Sequence, residues 1–188
     1  MGIAVFAASA LVGCSSAAGP SDYKYPDLSL AQTKGPVQLL RNETASRIPP
    51  AVVDKLQDSS DLSAACLSEA DDSNGDVRQW LSSATATFKK ASQWRLKKVT
   101  KDLIASLVDQ GWTARDVGGS PNVHRTLLSK KGSAAEIQVS SKSPAKAAAS
   151  TSKDEVVTDY RIEIETHGPC VMTDGAKSDE VTKLEVAR

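Results

Sequence analysis

The amino-acid sequence predicts an α+β fold, a single domain in which an antiparallel sheet of five or six strands carries one long helix on one face. Three observations predict it. Residues 91–110, ASQWRLKKVTKDLIASLVDQ, place apolar side chains at 94, 96, 99, 103, 104, 107 and 108, close to a 3.6-residue period. After Gly111 the period switches to two, in WTARDV, VHRTLLSK and AEIQVSS, and later in Tyr160, Ile162 and Ile164 alternating with Arg161, Glu163 and Glu165. Turn residues separate these runs at Asn74-Gly75, Gly118-Gly119 and Lys131-Gly132. A chain of 188 residues suits one core with tails rather than two full domains.

Taken in order, residues 15–35 are rich in Ser, Ala, Gly and Pro without a sustained period and read as a flexible tether. PVQLLRNETAS, 36–46, reads as a short helix with proline at its first position, stopped by Pro49-Pro50. Leu62, Ala64, Cys66 and Ser68 share one face of a strand over 61–68, which turns Cys66 inward. That strand pairs with Val77–Lys89 through a hairpin at Asn74-Gly75, where both turn positions must tolerate positive φ. The long helix takes Ser92 as N-cap and Gly111 as its left-handed stop. Residues 142–155, KSPAKAAASTSKDE, offer no stripe to bury and read as a mobile excursion between strands. SDEVTKLEVAR, 178–188, adds a short helix with Ser178 as N-cap.

Composition narrows the function. Lys+Arg and Asp+Glu are both 23, so no global field favours nucleic acid, and none is expected as a partner. Aromatics are 4% of residues, too few for a stacking platform for bases or sugars. The acidic turn EADDSNGD fails as a calcium loop: with Gly75 at the sixth position, the first and twelfth fall on Ala70 and Leu81. His124 and His167 are the only histidines and stand in no zinc-ligand spacing. No nucleophile-elbow, phosphate-loop or SxxK pattern occurs, so neither catalysis nor a cofactor or metal is implied. Trp80, Trp94 and Trp112 flank the long helix and are expected to fill core. FKKASQWRLKKVTK, 88–101, mixes cations with an indole; its period fits the wet face of an amphipathic helix, with anionic headgroups or a polyanionic polymer as the functional alternative.

The first fourteen residues carry the sharpest signal. Residues 3–13, IAVFAASALVG, form an uncharged apolar run too short to span a bilayer, and a cysteine follows it. Leu11-Val12-Gly13-Cys14 resembles the lipobox of bacterial lipoproteins. The resemblance covers this segment alone. It implies a signal peptide over 1–13 and diacylglycerol on the Cys14 sulfur; because the apolar run has no basic residues before it, a start upstream of Met1 is an expectation alongside. Residues 14–35 then form a lipidated tether, and 36–188 a domain on the extracytoplasmic face of the cell membrane. In that oxidising setting the two remaining cysteines, Cys66 and Cys170, are expected to form a disulfide.

The expected function is a membrane-anchored binding or scaffolding module of the envelope, with an envelope protein or polymer as partner. The alternative is a carrier for a lipid or other small apolar ligand held between helix and sheet.

Overall fold

The computed structural model describes residues 24–88, 93–144 and 160–186. Cys14, the signal segment, Ser92 and most of the 142–155 excursion lie outside the described residues. The domain is α+β, and its sheet is antiparallel throughout. In chain order it runs α1 (Leu30–Ala45), β1 (Val53–Ala65), β2 (Val77–Phe88), α2 (Gln93–Val108), β3 (Thr113–Ser120), β4 (Val123–Ser129), β5 (Glu136–Lys142), β6 (Arg161–His167), β7 (Val171–Met172) and α3 (Asp179–Val186). The strand order is β1-β2-β6-β5-β4-β3, with β7 continuing beside β2. A hairpin, a helical crossover and a four-strand meander thus close so that the last long strand returns to the first hairpin.

Two expectations change here. The sheet has seven strands among the described residues, and two helices of 16 residues, not one, lie on it. α1 begins at Leu30, inside the segment read as tether. Ser29 caps it: its hydroxyl accepts from the Gln32 N–H at 3.3 Å, and the Gln32 side chain accepts from the Ser29 N–H at 2.8 Å. Pro36 is therefore inside the helix rather than at its start, at the cost of one backbone bond. The buried stripe of α1 is Leu30, Thr33, Val37, Arg41, Thr44 and Ala45, a helical spacing occupied half by polar side chains. Hydropathy alone could not reveal it.

α1 settles close on the sheet. The Thr166 hydroxyl donates to the carbonyls of Val37 and Ser82, 3.0 Å from each. At Gly168 an added Cβ would stand 3.0 Å from Val37 Cγ2, so glycine permits this approach. Around Trp80, fully buried, gather Leu30, Val37, Val171 and Val181 in a small core under α1 and α3. α2 covers a larger, aliphatic core: Leu96, Val99, Leu103 and Leu107 pack on Ala84, Ile137, Val139, Ile162 and Ile164. Fully burying each such side chain contributes about 1.5–3 kcal/mol. α2 stops as expected at Gly111, φ +87°, where Trp112 N–H reaches the Leu107 carbonyl and Gly111 N–H that of Val108.

β1 also departs from expectation. It is 13 residues long, starts at Val53 and ends before Cys66, with register shifts near Asp54 and Ser59. Leu62 and Ala64 pair with Leu81 and Gln79 on the helix-free face, while Asp61 and Ser63 turn toward the helices. Polar side chains face inward here because partners await them. Arg78 donates to the Ser63 hydroxyl (2.8 and 3.0 Å) and carbonyl (3.1 Å), and that hydroxyl donates to Glu185 of α3 at 2.7 Å. The β1–β2 hairpin exists, with a longer connection than a two-residue turn. Asp72 organises it by accepting the Asp76 and Val77 N–H groups at 2.9 and 2.8 Å. These two bonds, Val77's first, hold the Asp72 carboxyl below its ordinary range.

Candidate functional site

Cys66 and Cys170 are joined, with S–S 2.07 Å and Cα–Cα 6.1 Å across 104 residues of sequence. The bond ties the end of β1 to the start of β7, the two strands that flank the beginning of β2. The histidines do not converge. His124 is on the helix-bearing face, and His167 on the opposite one, its Nε2 2.8 Å from Glu165. That bond, ahead of burial, which opposes it, sets the Glu165 pKa below its ordinary value. Among the described residues, no three His, Cys, Asp or Glu side chains group as metal ligands would.

The helix-free face is polar and half-buried. Thr85, Glu163, Ser140 and Arg125 stand abreast across β2, β6, β5 and β4, with Ser83, Glu165, Gln138 and Leu127 in the next row. A concavity of about 100 Å³ lies between the two rows. Its carboxylates are already engaged by cations on their own strand, Arg161–Glu163 at 2.7 Å and His167–Glu165 at 2.8 Å. Little net charge remains to attract a ligand.

α2 presents the opposite situation. With its aliphatic stripe on the sheet, the 100° step per residue puts Trp94, Lys97, Lys98, Lys101, Ala105 and Val108 on the outward side. Trp94 is 72% exposed and Val108 44%. The core role expected for all three tryptophans therefore holds for Trp80 and Trp112, 0% and 7% exposed, and fails for Trp94. Counting Trp94 among the apolar positions obscured that it falls opposite Leu96, Val99, Leu103 and Leu107. Over residues 94–104 there are four cations, Arg95, Lys97, Lys98 and Lys101, against one carboxylate, Asp102, so the formal charge is 4 − 1 = +3. Asp102 lies 2.7 Å from Lys98, an exposed pair worth a few tenths of a kcal/mol. Arg95, in the first turn, faces the positive end of the helix dipole, whereas Lys97, Lys98 and Lys101 lie beyond it, where that effect has fallen off.

Beside this face a groove of about 330 Å³ opens between α2 and the β4–β5 strands, lined by Lys97, Thr100, Lys101, Ile104, His124 and Ser141. A second cleft, of about 360 Å³, lies where the C-terminal ends of α1 and α2 meet the β4–β5 turn, with Thr44, Arg47, Trp112 and Lys130 in its wall. Between helices and sheet the space is filled by the aliphatic core already described. No family model, no curated protein and no solved structure matches this chain.

Proposed function

We propose that this chain is a bacterial lipoprotein, anchored through Cys14 to the extracytoplasmic face of the cell membrane, whose α+β domain is a binding or scaffolding module of the envelope. The observation that carries this reading is the disulfide between Cys66 and Cys170. Structural disulfides persist where thiols are oxidised, outside the cytoplasm, and that is where the lipobox resemblance of residues 11–14 sends the chain. A bond in the structure and a motif in the sequence thus support one compartment. The cationic, tryptophan-bearing face of α2 supports binding at a surface. The carrier alternative is the weaker reading, because the helix–sheet interface is packed with Leu96, Leu103, Leu107, Ile137 and Ile164, all nearly or fully buried.

Metabolic labelling with an alkyne fatty acid, in a bacterium that matures lipoproteins, tests the anchor. The native chain is expected to incorporate label and fractionate with membranes, and Cys14→Ser to do neither. Equal labelling of the two would remove the proposal.

A further inference from the structure

We infer that the outward face of α2 rests on the anionic surface of the bilayer, with Trp94 in the headgroup layer and Lys97, Lys98 and Lys101 against lipid phosphates. The choice of a membrane rests on the lipid-anchor reading; the face itself is carried by separate observations. Trp94 is a large indole left 72% exposed at one end of a row that continues through Lys98, Lys101 and Ala105 to Val108, itself 44% exposed. An indole is amphipathic and favours the boundary between headgroups and acyl chains. Lysines flanking it complete the composition of an interfacial helix face, apolar at its ends and cationic between.

Charge complementarity selects the partner. Three lysines, Lys97, Lys98 and Lys101, against one carboxylate, Asp102, leave 3 − 1 = +2 along this side of a chain whose formal charge is zero, so it is a local asymmetry. Lys97, Lys98 and Lys101 are all exposed, so an external negative surface complements them. The adjoining groove extends the contact: Ile104 and the lysine stems of Lys97 and Lys101 make its wall, with the ammonium groups able to reach outward to phosphate. The tether permits the geometry. Fifteen residues lie between Cys14 and Leu30, a reach of up to about 50 Å, so an anchored domain can lie with α2 on the membrane plane.

The test uses the full chain carrying Cys14→Ser, which has no acyl anchor, and vesicles of phosphatidylcholine with or without phosphatidylglycerol. Co-sedimentation with the phosphatidylglycerol vesicles is expected, weakening with salt, together with a blue shift of tryptophan emission. Trp80 and Trp112 are buried, so the shift reports Trp94. Lys97→Gln/Lys98→Gln/Lys101→Gln should bind at least tenfold more weakly, since each lysine near such a surface is worth about fivefold. Trp94→Phe should abolish the shift while keeping salt-sensitive binding. These side chains are exposed, so the variants are expected to keep the parent's melting temperature, which is measured alongside.

Failure to bind anionic vesicles, equal binding to neutral ones, or an unaffected triple variant would overturn the inference. So would retention on a soluble polyanion such as dextran sulfate with no vesicle binding, which would make the face a polymer site. The anchor reading is judged separately by acylation in cells: unlabelled Cys14 with intact vesicle binding would sink the anchor and leave α2's affinity standing.

Discussion

α1 and α2 have the same length and lie side by side on one face of the same sheet, yet different chemistry holds them there. α2 is seated by an aliphatic stripe, Leu96, Val99, Leu103 and Leu107, over Ile137, Val139, Ile162 and Ile164. α1 is seated by bonds with particular partners: Arg41 meets Asp61 at 3.3 Å, Thr166 bridges to Val37, and Lys34 reaches the Leu184 carbonyl at 3.0 Å and stands 4.7 Å from the Trp80 ring centre. The disulfide closes over the α1 half as well. Apolar burial is indifferent to orientation about the helix axis by small amounts, whereas a ring of hydrogen bonds is not. The α1 half is therefore the part whose geometry is most specified. The α2 half achieves its hold from one side alone, and its other side is left for charge and an exposed indole.

The largest expected break falls on the α1 half. Replacing Cys66 and Cys170 together by Ser removes a crosslink spanning 104 residues and should lower unfolding free energy by about 4 kcal/mol, read from urea titration. An unchanged midpoint would mean that this half does not depend on its clip. Leu103→Ala, in the aliphatic half, should cost about 3 kcal/mol through lost burial and a cavity under α2. Its effect should add to that of the disulfide variant, because Leu103 packs in the core under α2 whereas the disulfide joins the end of β1 to the start of β7.

Asp61→Asn probes the polar seat and should cost about 2 kcal/mol, since it deprives the 7% exposed Arg41 of its carboxylate. It also carries a pH signature. Burial pushes the Asp61 pKa up, but side-chain hydrogen bonds together with the Arg41 charge outweigh it, and the net value lies below the ordinary 3.8. A carboxylate with a depressed folded pKa stabilises above its unfolded pKa, and that stabilisation is lost as pH falls through the folded one. Glu165, depressed below 4.5, acts in the same direction. Stability due to these two groups should be level above about pH 5 and decline below pH 4, with a shallower decline in Asp61→Asn. An identical acid limb in the variant would contradict the seat assigned to Asp61. The smallest effect is that of Ser29→Ala, which opens the capping box of α1 and should cost about 1 kcal/mol, visible as a small fall in melting temperature.

The same contrast decided what could be read from sequence. α2, its Gly111 stop, the β4, β5 and β6 strands and the Ser178-capped last helix were legible, because alternation and helical period are strong where burial is apolar. The sequence shows α1 only from Pro36 onward, since Thr33, Arg41 and Thr44 interrupt its stripe and Gly35-Pro36 imitates a start. Ser29 followed by Gln32 was the available signal, a capping box inside a stretch that composition marks as tether. The first half of β1, DKLQDSS, holds one apolar residue, the exposed Leu56, and shows no alternation. Cys66 with Cys170 follows once the lipobox resemblance sets Cys14 aside and leaves an even pair in an oxidising setting. Trp94's exposure needed the angle of each residue about the helix axis, not the apolar count.

The central claim is that this domain works at a membrane to which Cys14 fastens it. Intact-mass measurement of the protein extracted from membranes of a lipoprotein-maturing bacterium tests that claim most directly. The account predicts a chain beginning at Cys14 and heavier than its residues by diacylglycerol, with or without a further acyl group. A chain of unmodified mass, or one still carrying residues 1–13, would contradict it.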